Sequence, residues 1–456
     1  MREKIKLAWE NFNASLWFVP AVLATLALVL SSVSIQADVA LLANEQARSV
    51  LPWLFGGTAD AARSVLSTIA GSLITVISIA FSLIIVALQQ ASAQFTPRVL
   101  RSFTADRGNQ IVLGVYIATF VYALLVLRAV RSANQDQNQV GFIPGLSVTL
   151  AIVLALICLG LLIYFIDHTA QSLQVSVILQ RVHADLIAQI DARYPDHGVD
   201  RIVIDAPPSL IAASPGTEPR FRVHSKRTGF IRTIDEHAIR NAPLDGVRWL
   251  WVQRQVGAFI TTGGILAEGI ADAPPNIEVS RCICDAIVID TRRSITQDPL
   301  FGVRQLVDIA LKALSPGIND PTTADYALYY LGDALGYLAG RVILPVEQIA
   351  EDREARLFFS RSTWDDFVDT AFNQIRRVAT GEVQVLQTLL DVLADLAVHV
   401  SSEDRCDAIR RQVIEVRRIV ANADWSEADK QSLSQRAEII DDLLPLPTSG
   451  TRSQGH

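Results

Sequence analysis

Residues 66–90 constrain the fold more than any other segment, because they contain no charged side chain. As an α-helix this segment would be about 37 Å long, which is enough to cross the hydrocarbon core of a bilayer. Inside lipid, only a helix or a closed barrel satisfies every backbone hydrogen bond. The segment therefore predicts a membrane-spanning helix.

Three further segments are long and apolar enough to span a membrane. Half of the 456 residues are hydrophobic and the mean hydropathy is +0.31, which is high for a soluble protein of this length. After residue 167 the chain turns polar. The sequence predicts a short N-terminal segment (residues 1–14) and an α-helical membrane domain (residues 15–167), with four transmembrane helices at about residues 15–35, 66–90, 110–127 and 146–166.

The basic residues of the loops predict the orientation in the membrane, since Lys and Arg favour the cytoplasmic side of short loops. Six of them precede the first span or follow the second: Arg2, Lys4, Lys6, Arg98, Arg101 and Arg107. The loops on the other side carry Arg48, Arg63, Arg128 and Arg131. This bias predicts that the N-terminus and the polar C-terminal region are cytosolic.

The polar region is predicted to be an acidic α+β region. Residues 168–456 hold 30 Lys and Arg against 39 Asp and Glu with no basic block, so nucleic acid is not an expected partner. Apolar periodicity, turn residues and helix caps predict its order. The predicted parts are a connecting amphipathic helix (168–198), a small β-barrel/sandwich-like module (199–292), a C-terminal helical module (296–444) and a disordered tail (445–456).

Two stretches of the β-rich module, residues 229–231 and 256–266, resemble the two halves of a barrel-sandwich hybrid of the biotinyl–lipoyl type. No modifiable Lys lies in the matching turn, so the resemblance implies architecture only. Cys282 and Cys284 fall in a predicted strand and are either a metal-binding pair or two half-buried thiols. No second pair of Cys or His residues follows at a suitable spacing, and we expect no metal and no cofactor.

A stripe of small and polar residues, called the α2 stripe below, runs along the second predicted span: Thr68, Gly71, Thr75, Ser78, Ser82 and Gln89. Many of them recur every seven residues, which is nearly two helical turns, so they share one face of the helix. That face either packs against other helices or lines a water-filled pathway. One four-span chain hardly encloses a wide pore, so the pathway alternative implies a homo-oligomer. Its mouths would then carry charges that favour anions: Arg98, Arg101, Arg128 and Arg131.

The region around residue 304 is a possible cytosolic ligand site. Arg304 and Asp308 lie one helical turn apart, and a nearby loop supplies Asn319 and Asp320. These groups either hold a small ligand or ion, or form an ion pair and helix caps. The chain has no glycine-rich nucleotide loop, nucleophile elbow or His-Glu metal motif, so we predict no catalytic residue and no enzymatic activity.

Several stretches carry a family resemblance: residues 15–20 (SLWFVP), 66–71 (LSTIAG), 94–98 (QFTPR), 119–123 (TFVYA) and the block 298–324, which includes LSPGINDP at 314–321. They resemble a family of bacterial inner-membrane proteins that is catalogued only as a domain of unknown function. The resemblance covers nearly the whole chain. It implies a multi-pass protein of the bacterial inner (plasma) membrane and implies no activity.

The leading functional hypothesis is an oligomeric channel or channel-like transporter, whose second span lines the pathway and whose cytosolic region assembles or gates it. The expected partners are membrane lipid, further copies of the chain, and a permeant ion or small molecule. A second hypothesis is a membrane-anchored sensory or scaffold protein, in which residues 304–320 bind a cytosolic ligand or partner. A third is a membrane enzyme that uses the same acidic region.

Overall fold

The computed structural model describes residues 15, 17–42, 57–94, 106–132, 141–194, 220–272, 276–343, 346–349 and 356–445. The chain divides into two compact units, a helical one that ends at Val177 and a mixed one that follows from Ile178. Several predictions fall outside the described residues, namely those for residues 1–14, Arg98, Arg101 and most of the tail.

Four long apolar helices form the first unit: α1 (Phe18–Leu42), α2 (Ala59–Gln94), α3 (Arg107–Ala129) and α4 (Gly145–Ser172). Each is long and apolar enough to cross a membrane. The prediction of four apolar helices is therefore confirmed. Their bounds differ from the predicted spans by several residues, most clearly at α2, which extends beyond residues 66–90 on both sides.

Helices α1, α3 and α4 pack against one another in pairs. Gly114 on α3 permits the approach of α1, because a Cβ at this position would lie 2.6 Å from Cδ1 of Leu23. Large side chains fill the space between the helices, and Tyr116, Tyr122 and Phe165 are fully buried. The interior of this unit is therefore packed with side chains.

Helix α2 is joined to this bundle through one face only. Leu66, Leu73 and Ile84 on that face are buried in the same apolar core as α3 and α4. Within the described ranges, the α2 backbone approaches none of the other three helices as closely as they approach one another. Most side chains on the rest of the α2 surface are exposed among the described residues.

A buried carboxylate joins α1 to the start of α4. The Asp38 side chain accepts hydrogen bonds from the backbone N–H groups of Leu146 (2.8 Å) and Ser147 (3.0 Å), and from the Ser147 hydroxyl (2.6 Å). The hydroxyl of Tyr122 on α3 donates to the Ser147 carbonyl at 3.2 Å and lies 2.9 Å from the Ser34 hydroxyl. Asp38 thus provides the N-terminal cap that Pro144, the residue before α4, does not provide.

The second unit begins with a helix and two open sheets. Helix α5 (Val175–Arg193) is separate from α4, which ends at Ser172, so the amphipathic helix predicted as continuous from residue 168 is in fact two helices. The strands are β1 (Arg220–His224), β2 (Gly229–Ile234), β3 (Val247–Val252), β4 (Phe259–Ile260), β5 (Ile265–Ala271), β6 (Ile287–Asp290), β7 (Val346–Ile349) and β8 (Arg356–Ser360).

One sheet has the order β1-β5-β3-β8-β7 and the other has the order β4-β2-β6. Neither sheet closes on itself among the described strands, so the barrel of the predicted β-barrel/sandwich-like module is not confirmed, whereas a mixed α/β region is. The two stretches compared with a barrel-sandwich hybrid do pair, since Gly229 lies opposite Ile260 and Phe230 opposite Phe259 in antiparallel strands.

Strand β8 pairs in parallel with β3, with Leu250 opposite Leu357 and Trp251 opposite Phe358. The Trp251 indole N–H donates to the Ser360 hydroxyl at 3.0 Å. Strand β8 lies within residues 296–444, which were predicted to form a helical module. The predicted β-rich and helical modules therefore share a sheet and a core, which includes Leu250 and Leu357.

The remaining helices are α6 (Glu236–Arg240), α7 (Ile277–Ala286), α8 (Pro299–Ala313), α9 (Pro321–Ala339), α10 (Trp364–Val378), α11 (Val383–His399), α12 (Glu403–Asn422) and α13 (Glu427–Leu443). Cys282 and Cys284 lie on α7, so their prediction as strand residues is wrong. Asn276 caps this helix by accepting from the Glu278 N–H at 3.2 Å. The N-cap and the amphipathic spacing of residues 277–286 favour a helix over the strand that the β-branched residues of this segment favour.

We predict that Asp38→Ala destabilises the first unit by about 2–3 kcal/mol, because two backbone N–H groups and one hydroxyl lose their acceptor in a buried site. The midpoint of thermal unfolding, measured on the full chain in detergent, should fall. The matched control is Asp60→Ala at the first turn of α2, where the side chain is 90% exposed, and it should leave the midpoint unchanged. Equal midpoints for both variants would contradict the capping role.

We predict that Gly257→Ala destabilises the second unit by about 2–4 kcal/mol. Gly257 has φ +86°, and a Cβ there would lie 2.2 Å from Oδ2 of Asp298, the buried N-cap of α8. Gly263→Ala is the control, because Gly263 has a similar φ of +82° with open space around it. Thermal unfolding should show a larger loss for Gly257→Ala, and equal losses would mean that φ alone sets the cost.

Candidate functional site

The α2 stripe points directly away from the core of its own unit. Leu66, Leu73 and Ile84 mark the buried face of α2, and at 100° per residue the stripe lies on the opposite side of the helix. All members of the stripe are exposed: Thr68, Gly71, Thr75, Ser78, Ser82 and Gln89. The structure therefore brings the predicted pathway residues together in one line on an outer surface of the chain.

The hydroxyl groups of the stripe bond back to their own helix. Each donates to the carbonyl four residues earlier: Thr68 to Ser64 (2.7 Å), Thr75 to Gly71 (3.3 Å), Ser78 to Ile74 (2.8 Å) and Ser82 to Ser78 (2.9 Å). Such bonds satisfy a hydroxyl without any other helix. The stripe is therefore chemically compatible with lipid, with a helix of another chain, or with water.

The outward faces of α1, α2 and α4 all carry large apolar side chains, as at Leu26 on α1, Val86 on α2 and Ile163 on α4. The α2 face carries the line of small and polar residues in addition. A Cβ added at Gly71 would meet nothing within 4 Å, and the same is true at Gly160 on α4. Large apolar residues suit contact with lipid tails, whereas small residues allow another surface to approach the helix backbone closely.

The four arginines predicted at the pore mouths are only partly described. Arg128 is exposed in the last turn of α3. Arg131 is also exposed, and its backbone forms an isolated antiparallel bridge with Phe142. Arg98 and Arg101 lie outside the described residues, so the structure does not place them relative to the α2 stripe.

A polar pair links the start of α3 to the last turns of α4. Asp106 caps α3 by accepting from the N–H groups of Gly108 (2.9 Å) and Asn109 (3.3 Å), and Nε2 of His168 lies 2.9 Å from the same carboxylate oxygen. The sequence analysis did not single out Asp106. An Asp directly before a helix start is a capping signal that would have identified it.

The predicted cytosolic ligand residues each have a local structural role. Nε of Arg304 lies 3.0 Å from the Asp308 carboxylate within α8. Asp320 caps α9 by accepting from the N–H (3.1 Å) and hydroxyl (2.6 Å) of Thr323. Asn319 adopts a left-handed conformation with φ +49°. An ion pair and a helix cap account for these contacts, and they point to no ligand.

A buried ion network, which the sequence analysis missed, lies at the start of α6. Glu236 lies 2.6 Å from the Arg193 guanidinium and 2.9 Å from that of Arg361, and all three side chains are largely buried. Burial alone would raise the pKa of Glu236, but the two guanidinium groups outweigh burial and lower this pKa below its ordinary value of 4.5. The network joins α5, α6 and the residue after β8, which are distant in sequence.

Residues 13–395 match a family described as "Predicted membrane protein (DUF2254)". Similar curated proteins include uncharacterized proteins of Mycobacterium bovis and Mycobacterium tuberculosis. Each is 31% identical over 400 residues, which are 86% of this chain and 75% of the relative. No solved structure matches the chain.

We predict that Glu236→Gln lowers the stability of the second unit by about 2 kcal/mol at neutral pH, because two largely buried guanidinium groups lose their counter-charge. A lowered folded-state pKa stabilises the fold above the unfolded pKa, and this contribution is lost as pH falls through the folded value. The difference in unfolding midpoint between the original protein and Glu236→Gln should therefore shrink as pH falls below 4.5. Glu427→Gln, whose side chain is 94% exposed, should show no difference at any pH.

Proposed function

The chain belongs to this family of predicted membrane proteins of unknown function, and from that premise we propose that it is an oligomeric channel or channel-like transporter. In the proposal, copies of α2 come together and their stripes line the pathway. The unit that follows residue 177 assembles or gates the oligomer from the cytosolic side of the bacterial inner membrane. The permeant is an ion or small molecule, and the protein carries out no catalysis.

The observation that supports the proposal is the direction of the α2 stripe. The stripe faces outward, and its small and polar residues interrupt the large apolar side chains that α1, α2 and α4 all expose. Contact with lipid alone gives no advantage to hydroxyls and glycine over leucine along such a line. In an oligomer whose α2 helices surround a water-filled pathway, the hydroxyls of the stripe would be in contact with that water.

The packing of the first unit supports the oligomeric form of the proposal. Tyr116, Tyr122 and Phe165 occupy its interior with no exposure. A pathway along the inside of one described bundle would have to displace such side chains. A pathway bounded by several α2 helices displaces nothing, because each stripe is already exposed.

A sensory or scaffold protein is the second candidate, and the hydroxyl bonds within α2 favour it. Because each hydroxyl already has a partner in its own helix, the stripe is also suited to dry, close packing between copies. In that case Gly71 marks the closest approach of two helices. The two candidates share an interface and differ in whether water enters it.

Ion flux into liposomes tests the proposal, with the original protein beside Ser82→Leu. Leucine in the stripe would narrow and dry the pathway, and flux should fall by roughly tenfold or more. Ser32→Leu is the matched control, since Ser32 is an exposed serine of α1 that also bonds to the carbonyl four residues earlier, at 2.9 Å. It should leave flux unchanged.

The native mass of each protein in detergent separates the two candidates. The pathway is supported if Ser82→Leu loses the ion flux, Ser32→Leu keeps it, and both variants have the same native mass as the original protein. An original protein that is oligomeric but passes no ions across voltage, tension and pH steps overturns the channel. If the original protein passes no ions and Ser82→Leu dissociates its oligomer into single chains, the stripe is a packing face between copies.

A further inference from the structure

A deep groove in the second unit lies between α9 and α11. Its volume is about 840 Å³, which is within the range of cavities that hold small organic ligands. Tyr329 and Tyr337 on α9 form part of its lining, and both are exposed. Asp395 and His399 on α11 line it from the other side. The groove shares no residue with the α2 stripe or with residues 304–320, although α9 begins directly after Asp320.

Part of the groove surface is backbone, because glycines line it at three positions four residues apart. Gly332 is required by the fold, since a Cβ there would lie 2.6 Å from Cγ1 of Val392. Gly340 is the C-cap that follows the last residue of α9. At Gly336, within α9, the nearest atom to an added Cβ would be 3.9 Å away, although glycine costs a helix about 1 kcal/mol relative to alanine. Gly336 therefore keeps the groove open without serving a packing contact.

Arg341 and Asp333, which both line the groove, already have partners. The Arg341 guanidinium lies 2.6 Å from the Asp191 carboxylate and 4.6 Å from the centre of the Tyr337 ring. Nε2 of His183 lies 2.7 Å from the carboxylate of Asp333. The charge of Arg341 is therefore offset by Asp191, and Asp333 is engaged by His183.

An acidic side chain is left over. Within the described part of the chain, no hydrogen bond or ion pair involves the Asp395 carboxylate. Nδ1 of His399 lies 2.8 Å from the Asp395 carbonyl and donates to it. The Asp395 carboxylate and the exposed Tyr329 ring match a positively charged ligand, and Tyr337 already holds one cation, the Arg341 guanidinium, over its ring.

We propose that the groove between α9 and α11 binds a small organic cation. Its ammonium group lies against Asp395, and its carbon skeleton lies between Tyr329 and Tyr337 over the bare backbone at Gly336. Three features carry this assignment: the ligand-sized cavity, the uncommitted carboxylate and the aromatic walls. The inference does not depend on the channel proposal, since the groove would serve a transporter and a sensor alike.

Calorimetric titration of the full chain in detergent with benzylammonium tests the site, with benzyl alcohol as the neutral probe of the same shape. We expect saturable binding of benzylammonium with a Kd on the order of 1 mM or tighter, and at least about tenfold weaker binding of benzyl alcohol. Asp395→Asn should weaken the binding of benzylammonium by about tenfold. Asp424→Asn, an equal loss of charge at an exposed position outside the groove, should leave the affinity unchanged.

A second variant tests the floor of the groove. Gly336→Leu should abolish the binding of benzylammonium by filling the cavity, while Gly336→Ala should retain the fold and weaken binding. The proposal is overturned if benzylammonium does not saturate, if benzyl alcohol binds equally well, or if Asp395→Asn binds as the original protein does. Cross-linking that shows the groove covered by a second copy of the chain would also overturn it, and none of these results depends on ion flux.

Discussion

Lipid tails offer no hydrogen-bond partner, and the structure of the first unit follows from that constraint. Asp38 on α1 supplies the acceptor that the exposed N–H groups at the start of α4 require, and Tyr122 bonds to the same turn. The hydroxyls of the α2 stripe meet the constraint differently, by bonding to their own helix. A helix that is satisfied in this way can exchange lipid for protein or water without leaving a polar group unpaired. Hydroxyls of α1 also bond to their own helix, as at Thr25 and Ser32, so this property is not confined to α2.

The sequence predicted the features that depend on periodicity and length, and it missed those that depend on distant contacts. Apolar length was sufficient for the four spans, and a seven-residue repeat was sufficient for the face that carries Ser82. The outward direction of that face follows from packing at Leu66 and Ile84, which no local pattern reveals. Strand β8 was missed because its partner β3 lies far away in the chain, and α7 because a capped amphipathic helix there outweighs a short β-branched run. The glycine spacing on α9 was visible in the sequence, but the open groove beside it was not.

Many arginines of the second unit form ion pairs with carboxylates. Because the chain holds more acidic than basic residues, some carboxylates have no such partner. Glu236 neutralises two arginines, and Asp191 and Asp308 hold Arg341 and Arg304. The ion pairs of Arg193, Arg361 and Arg341 connect segments that are distant in sequence, whereas the pair of Arg304 lies within one helix. The carboxylates that remain, such as Asp395, make the local potential more negative, which is the basis of the affinity proposed for a cation.

The parallel pairing of β3 with β8 has a consequence for how the chain is made. Roughly a hundred residues separate the two strands, and a ribosome adds ~5–20 residues per second, so β3 leaves the ribosome roughly 5–20 s before its partner exists. All four apolar helices precede β3 in the chain and reach the membrane first. During this interval one edge of β3, with its hydrogen-bonding groups unpaired, is a site where a nascent chain can join a wrong strand. Several newly made copies close together at the membrane could pair wrongly through these edges. The edge is covered once β8 has been made and has paired with β3.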